Sequence, residues 1–258
     1  MRNILLPIIL GTLLLASCAS RESIAYLQDA DQTEFVEKKF VTKIQPDDLL
    51  MIVVSAQNPL AVQQFNLTTN LSVNPSNQAG GGQVQQQLYL VDDLGYIDFP
   101  VLGKILVGNK TKEQVVDELI SKISREVKNP IINLRIMNFK VTVQGEVKTP
   151  GTHTINSERI TLPEALSLSG DLTSYGKREN ILVIRQEDGK LTSHRVDITK
   201  ADFINSEFYY LKQNDVVYVE PNKVAINSSA VGPNVSIYLS AISLLLTTVA
   251  IILTNSNK

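Results

Sequence analysis

Apolar positions along the chain fall into short strand-like runs, two helical stripes and one long uncharged stretch near the end. Residues 49–55 (Leu-Leu-Met-Ile-Val-Val-Ser) read as a buried strand. Residues 88–91 and 96–99 flank the turn sequence Asp92-Asp93-Leu94-Gly95, which predicts a hairpin, and 104–107 predicts a further strand. Thr111-Lys112-Glu113-Gln114 has the form of a capping box, in which the Thr hydroxyl and the Gln amide satisfy free N–H groups. Val116, Ile120, Ile123 and Val127 then recur at helical spacing, so 112–127 is expected to be helical, with strands at 131–136 and 140–146 beyond Pro130. Thr149-Pro150-Gly151 predicts a tight hairpin into 152–155, with Pro150 fixing φ and Gly151 permitting a positive φ. A second capping box, Thr161-Leu162-Pro163-Glu164, starts a short helix that Gly170 ends. Residues 181–185 and 191–196 pair across Glu187-Asp188-Gly189, and 209–211 with 216–219 complete the pattern. The expected class is α+β, with one module over 41–138 and a second over 139–222.

Three segments break this pattern. Residues 56–87 hold five Asn, eight Gln and the run Gly80-Gly81-Gly82 without one charge. A tract so poor in apolar area is expected to be a mobile insertion in the first module. Residues 18–40 are polar and charged and read as a tether. After a linker at 223–234, residues 235–254 are a continuous apolar-rich stretch of 20 residues, which predicts a transmembrane helix. Along it Ser236, Ser240, Ser243, Thr247, Ala250 and Thr254 recur at spacings of 4, 3, 4, 3 and 4, on one helical face. Such a stripe suits the wall of a water-filled lumen, and equally suits close packing between membrane helices.

The N-terminus is a targeting segment, residues 1–17. Arg2 precedes a 12-residue apolar stretch, too short to span a bilayer, that ends in Leu15-Ala16-Ser17-Cys18. This resembles the bacterial lipobox, which makes Cys18 the lipidation site. Cys18 is the only cysteine, so no intramolecular disulfide is available. Ala19 and Ser20 follow it, and the absence of Asp there favours sorting to the outer membrane.

With 24 basic and 26 acidic residues the chain carries a net charge of −2, which argues against a nucleic-acid partner. Of the two histidines, His153 reads as a hairpin residue and His194 lies beside a predicted strand; no metal-ligand spacing, phosphate loop or nucleophile elbow accompanies them. Asp92, Asp93 and Asp98 could suggest a glycosidase-like carboxylate pair, but acids at turns and strand ends are commonplace. Tryptophan is absent, which weakens a stacking-type sugar site. No cofactor, metal or catalytic residue is expected, and the chain is not expected to be an enzyme.

Several motifs resemble those of outer-membrane polysaccharide-export lipoproteins. Ile44-Gln45-Pro46-Asp47-Asp48-Leu49-Leu50 resembles the opening I-x-P-G-D-x-L of the polysaccharide-export domain, with Asp47 where glycine is commoner. Residues 95–103, Gly-Tyr-Ile-Asp-Phe-Pro-Val-Leu-Gly, resemble its G-x-I-x-x-P-x-x-G hairpin. Gly145, Pro150 and Gly151 match the G-x-V-x-x-P-G turn that opens the soluble-ligand-binding β-grasp (SLBB) domain. Residues 165–172 resemble its A-L-x-x-A-G-G-L helix end, and 212–220 its closing L-x-x-G-D-x-I-x-V, with Asn214 replacing glycine. The resemblance implies a ring-shaped homo-oligomer, typically an octamer, that passes capsular or extracellular polysaccharide across the outer membrane. It also implies docking to an inner-membrane co-polymerase that regulates chain length. Relatives often carry more than one SLBB domain, whereas this chain shows one. By the same resemblance the C-terminal helix joins a barrel, with Ser236, Ser240, Ser243, Thr247 and Thr254 lining its pore. The alternative is a periplasmic scaffold or sugar-binding module that lines no pore.

Overall fold

The computed structural model describes residues 22, 24–36, 40–70, 84–187, 189–230 and 235–256. The signal segment, Cys18 and the centre of the polar tract lie outside the described residues.

The first module opens with β1 (Leu49–Ser55), whose alternation turns Leu50, Ile52 and Val54 inward. A helical turn α1 (Pro59–Val62) and a 3₁₀ turn (Gln63–Phe65) follow. Next come β2 (Thr68–Asn70) and β3 (Val84–Gln86), which pair with each other. β4 (Tyr89–Leu90), β5 (Tyr96–Phe99), β6 (Gly103–Leu106), α2 (Lys112–Ile123) and β7 (Ile131–Ile136) complete the module. β1 lies between β4 and β7, antiparallel to both, and α2 packs on β7.

Three expectations need correction in this module. The predicted hairpin of 88–91 with 96–99 does not form. β4 pairs with β1 (Leu49↔Leu90) and β5 pairs with β6 (Ile97↔Ile105). The reason is local: Asp92 Oδ1 accepts from Leu94 N (3.0 Å) and Tyr96 N (2.7 Å), which reverses the chain by a side-chain-capped turn. The buried stripe of α2 is Val115, Leu119 and Ile123; of the predicted positions Ile123 and, just past the helix, Val127 are buried, whereas Val116 and Ile120 are only partly buried. The start of the polar tract is structured. Phe65 is completely buried, and the Asn66 amide bonds Val54 N (2.9 Å), Val54 O (2.8 Å) and Val62 O (3.1 Å). An amide here takes the place of a neighbouring strand.

The second module comprises β8 (Lys140–Gly145), β9 (Gly151–Thr154), β10 (Ile160–Thr161), α3 (Leu162–Leu168) and β11 (Ile181–Glu187). β12 (Lys190–Val196), a 3₁₀ turn (Ala201–Asn205), β13 (Tyr210–Leu211) and β14 (Val216–Val219) follow. Its main sheet has the order β12-β11-β14-β8-β9, with the β14–β8 pair parallel. α3 packs on β8, over a core that includes Val141, Val143, Leu162, Ile181 and Val217. Both predicted capping boxes form: Thr111 with Gln114, and Thr161 with Glu164.

Residues 24–36 lie along this second module rather than hanging free as a tether. Leu27 N bonds Ile198 O (3.2 Å), Gln28 N bonds Thr199 O (2.8 Å), and Asp29 Oδ1 accepts from Ala201 N (2.6 Å). Further along, Asn205 bonds Val36 N (2.9 Å) and Glu34 O (2.8 Å). These backbone and capping bonds carry no hydrophobic signature, so a polar sequence conceals them.

At the other end, the predicted linker holds α4 (Lys223–Ala230), and α5 spans Val235–Ser256. The sequence predicts a transmembrane helix over 235–254. Among the described residues, however, no helix is long and apolar enough to cross a membrane, which corrects that expectation. The apolar run of α5 is diluted by Ser240, Ser243, Thr247 and Thr248.

The departures from family glycines keep glycine's backbone. Asp47 (φ 67), Asn214 (φ 65) and Asp171 (φ 68, at the second glycine of A-G-G-L) are all left-handed. Asp and Asn are the non-glycine residues that tolerate this region best. Gly145 (φ 88) is more constrained, because an added Cβ would lie 2.1 Å from Val219 O. The positive φ of that motif turn is therefore at Gly145; Gly151, where the sequence predicts it, is not left-handed.

In urea unfolding, Asn214→Gly should leave stability nearly unchanged and Asn214→Val should cost about 1–2 kcal/mol. Gly145→Ala should cost more than either, because the clash is with backbone. Equal midpoints for all three variants would contradict this reading.

Candidate functional site

The two cores meet at Asn138, between β7 and β8. Its side-chain oxygen accepts from Leu49 N (2.9 Å), and its amide donates to Asp47 O (2.8 Å). From the other module, the buried Gln213 donates to Asn138 O (2.9 Å) and accepts from Lys140 N (2.8 Å). Two amide side chains thus clamp the start of β1 to the turn before β14. Ile136, beside them, packs against both cores.

The buried Asp48 lies against this clamp. Its Oδ2 accepts from Gln45 N (2.8 Å), while Oδ1 has no partner of hydrogen-bonding geometry. Burial pushes the Asp48 carboxyl up to about 6; the Gln45 N–H and the Gln213 amide offset part of that rise, and the Asp47 carboxylate adds to it.

The same 212–215 turn holds a second buried charge. Asp215 is met by Arg185 through two parallel bonds, Nε to Oδ1 (3.0 Å) and Nη2 to Oδ2 (2.7 Å), with neither side chain more than 2% exposed. Lys212 N also donates to Asp215 Oδ2 (2.8 Å). Arg185 Nη1 and Nη2 reach Glu207 O (3.3 Å) and Tyr210 O (3.1 Å), and the guanidinium sits 4.8 Å over the Phe208 ring. Burial raises the Asp215 carboxyl, and the Arg185 fork and the Lys212 N–H offset part of that rise.

Outside the clamp, a cleft of about 430 Å³ opens between the modules, bounded by Phe40, Lys112, Arg135, Phe139, Glu158 and Arg159. Lys112 and Glu158 form an ion pair across it, and Arg135 Nη2 donates to Asn156 O (3.1 Å). Arg159 lies 5.3 Å over the Tyr210 ring, which in turn packs on Phe40 (5.1 Å). The ion pair is largely solvent-exposed and contributes little stability.

The structure does not bring the predicted site residues together. Gly145, Pro150 and Gly151 border a loop joining β8 to β9, and that loop is held to the end of α3 by Lys148 N to Asp171 O (3.1 Å) and Thr149 N to Ser169 O (2.9 Å). His153 Nε2 bonds the buried Ser169 Oγ (2.8 Å), and His194 stacks on Phe208. The Asp92 carboxylate is occupied by its own turn, and Asp98 is an exposed residue of β5. Ser240, Ser243 and Thr247 are exposed on α5; the side chains of Ser236 and Thr254, and all of Cys18, lie outside the described residues. Among the described residues no cluster of metal-ligating side chains occurs. Sequence reasoning misses Asn138, Gln213 and Arg185. Only Arg185 leaves a signal: it follows Ile181 and Val183 at the inward parity of β11.

Comparison with known proteins follows the same division. Residues 37–137 match the polysaccharide biosynthesis/export protein family, and residues 139–219 match the SLBB domain. Asn138 is the one residue between the two matches. Over 214 residues the chain is 30% identical to the EPS I polysaccharide export outer membrane protein EpsA of Ralstonia solanacearum, covering 80% of this chain and 56% of the relative. The protein of the same name from Ralstonia nicotianae is also 30% identical, with 55% of its length covered. The chain therefore spans about half the length of the curated relatives it matches.

Two outcomes follow for the junction. The folded-state pKa of Asp48 lies above its unfolded value of about 3.9, so its contribution is fully present below that value and is lost as pH rises through about 6. Wild type should gain about 1 kcal/mol from this group between pH 7 and pH 5, and Asp48→Asn should lack that gain in parallel urea titrations. Identical pH slopes would refute the assignment. Arg185→Met leaves a buried charge unpaired and should cost about 3–5 kcal/mol, most of which Arg185→Met with Asp215→Leu should recover. Failure of the double variant to recover would show that packing, not charge, governs the site.

Proposed function

Because the chain belongs to the polysaccharide biosynthesis/export family, we propose that it is a subunit of the outer-membrane assembly through which capsular or extracellular polysaccharide leaves the cell. It is a transport component rather than an enzyme. The observation that carries the reading is the fusion of an export module and an SLBB module into one body through Asn138 and Gln213. A wall element of a conduit must hold its parts in fixed register against a moving polymer, and side-chain amide bonds between the modules provide that. The relatives' shared name supports the export role; substrate and partners come to this chain as part of the proposal.

In this reading Cys18 carries the lipid that anchors the chain to the outer membrane, and the modules of several copies, by resemblance eight, form a ring. An inner-membrane co-polymerase docks on the periplasmic side and supplies direction. Where copies of α5 meet, Ser240, Ser243 and Thr247 turn towards the polymer. Thr247 already donates to Ser243 O (2.5 Å), so it offers the sugar only its lone pairs.

The test is surface polymer on intact cells, measured by sugar analysis of material shed by mild washing. Cells lacking the chain should show none, wild type should restore it, and Asn138→Ala with Gln213→Ala should restore markedly less. Undiminished surface polymer in cells without the chain would end the proposal.

A further inference from the structure

The cleft between the modules has the make-up of a ligand site. Its volume, about 430 Å³, falls in the range of small-molecule pockets, about 300–1,000 Å³. Ile44, Leu134 and Phe139, all buried, form its apolar floor. Its rim is polar, and each module gives it one exposed arginine: Arg135 from β7 and Arg159 from the loop before β10. An apolar floor under a few convergent polar groups is how small organic ligands are held and oriented.

Both arginines are fixed in place. Arg135 Nη2 donates to Asn156 O (3.1 Å), which ties it to the loop that carries Arg159. Arg159 lies 5.3 Å over the Tyr210 ring, and Phe40 packs on that ring (5.1 Å). A guanidinium held this way presents a planar fork of N–H groups that suits a carboxylate. The other charges of the lining do not meet that need. Lys112 and Glu158 neutralise each other, and Glu113 sits in the first turn of α2, where free helix N–H groups favour a negative charge. Three cations against two acids leave the lining with one positive charge. Thr42 adds a second need: its Oγ1 is buried in the cleft wall and has no hydrogen-bond partner among the described residues. A buried hydroxyl without a partner costs free energy, which a ligand oxygen would relieve.

Resting on the export reading above, we propose that this cleft binds an acidic sugar, a hexuronate residue of the exported polymer. Arg135 and Arg159 take its carboxylate, Thr42 a hydroxyl, and the Phe40 ring its C–H face. A hexuronate offers a carboxylate, hydroxyls and an apolar face in one rigid ring, whereas an acidic peptide side chain offers only the first. The Lys112–Glu158 pair at the rim is exposed and costs little to open. The cleft can therefore admit a ring of a moving chain and release it, as passage requires.

The test is equilibrium dialysis of purified full-length protein against radiolabelled tetragalacturonate, with maltotetraose as the neutral match and tetraglutamate as the acidic peptide. Tetragalacturonate should bind saturably at low salt, about tenfold more tightly than either comparison, and more weakly as salt rises. Arg135→Gln and Arg159→Gln, at exposed positions where folding should not suffer, should each lower the affinity roughly tenfold. Thr42→Val should lower it several-fold while leaving the urea midpoint unchanged or higher, a combination that mere loss of packing does not give. Absence of saturable binding overturns the proposal. Equal binding of maltotetraose overturns it by removing the carboxylate from recognition, and equal binding of tetraglutamate by making the cleft a peptide site. Each of these outcomes is compatible with surface polymer that still depends on the chain, so the export reading then stands. Undiminished surface polymer without the chain, alongside tight tetragalacturonate binding, ends the export reading and leaves the hexuronate site in place.

Discussion

A half-buried amide at the junction carries the architecture. Asn138 has one foot in each module, and through it the Leu49 N–H, the Asp47 carbonyl and the Gln213 side chain share one set of hydrogen bonds. Buried polar groups cost free energy unless every bond is made, so this set is satisfied in one arrangement of the modules and not in others that merely bring apolar surfaces together. Hydrophobic packing at the junction, chiefly Ile136, supplies attraction without direction. The amides supply direction.

Charge enters the same place at different strengths. The Arg185–Asp215 pair is bidentate and adds bonds to two carbonyls, so both charged groups are compensated. Asp48 is compensated only in part, and its buried carboxyl, with one oxygen lacking a partner, makes the junction pH-sensitive. The cleft outside the clamp, with its exposed ion pair, adds little to stability and leaves polar surface open between the modules.

Local features of this architecture are legible in the residues themselves. The two capping boxes name their own helices, because Thr at the cap and Gln or Glu three residues on satisfy specific N–H groups. The motif glycines mark backbone positions, and Asp47 and Asn214 show that the backbone requirement survives the loss of the residue. What the residues conceal is non-local. No pattern in 88–99 indicates that β4 prefers β1 as a neighbour, and a polar strap such as 24–36 docks through backbone bonds that leave no periodicity. The stretch 235–254 misleads for a different reason: apolar content along a sequence does not by itself establish a membrane-crossing helix.

The central physical claim is that two separately packed cores behave as one body. It is tested most directly by equilibrium urea unfolding of the full chain, followed by one tryptophan reporter placed in each core in turn. Coincident transitions with a single midpoint, separating only when Asn138 and Gln213 are both replaced by alanine, are what the account predicts. Two distinct midpoints in the unaltered junction would contradict it.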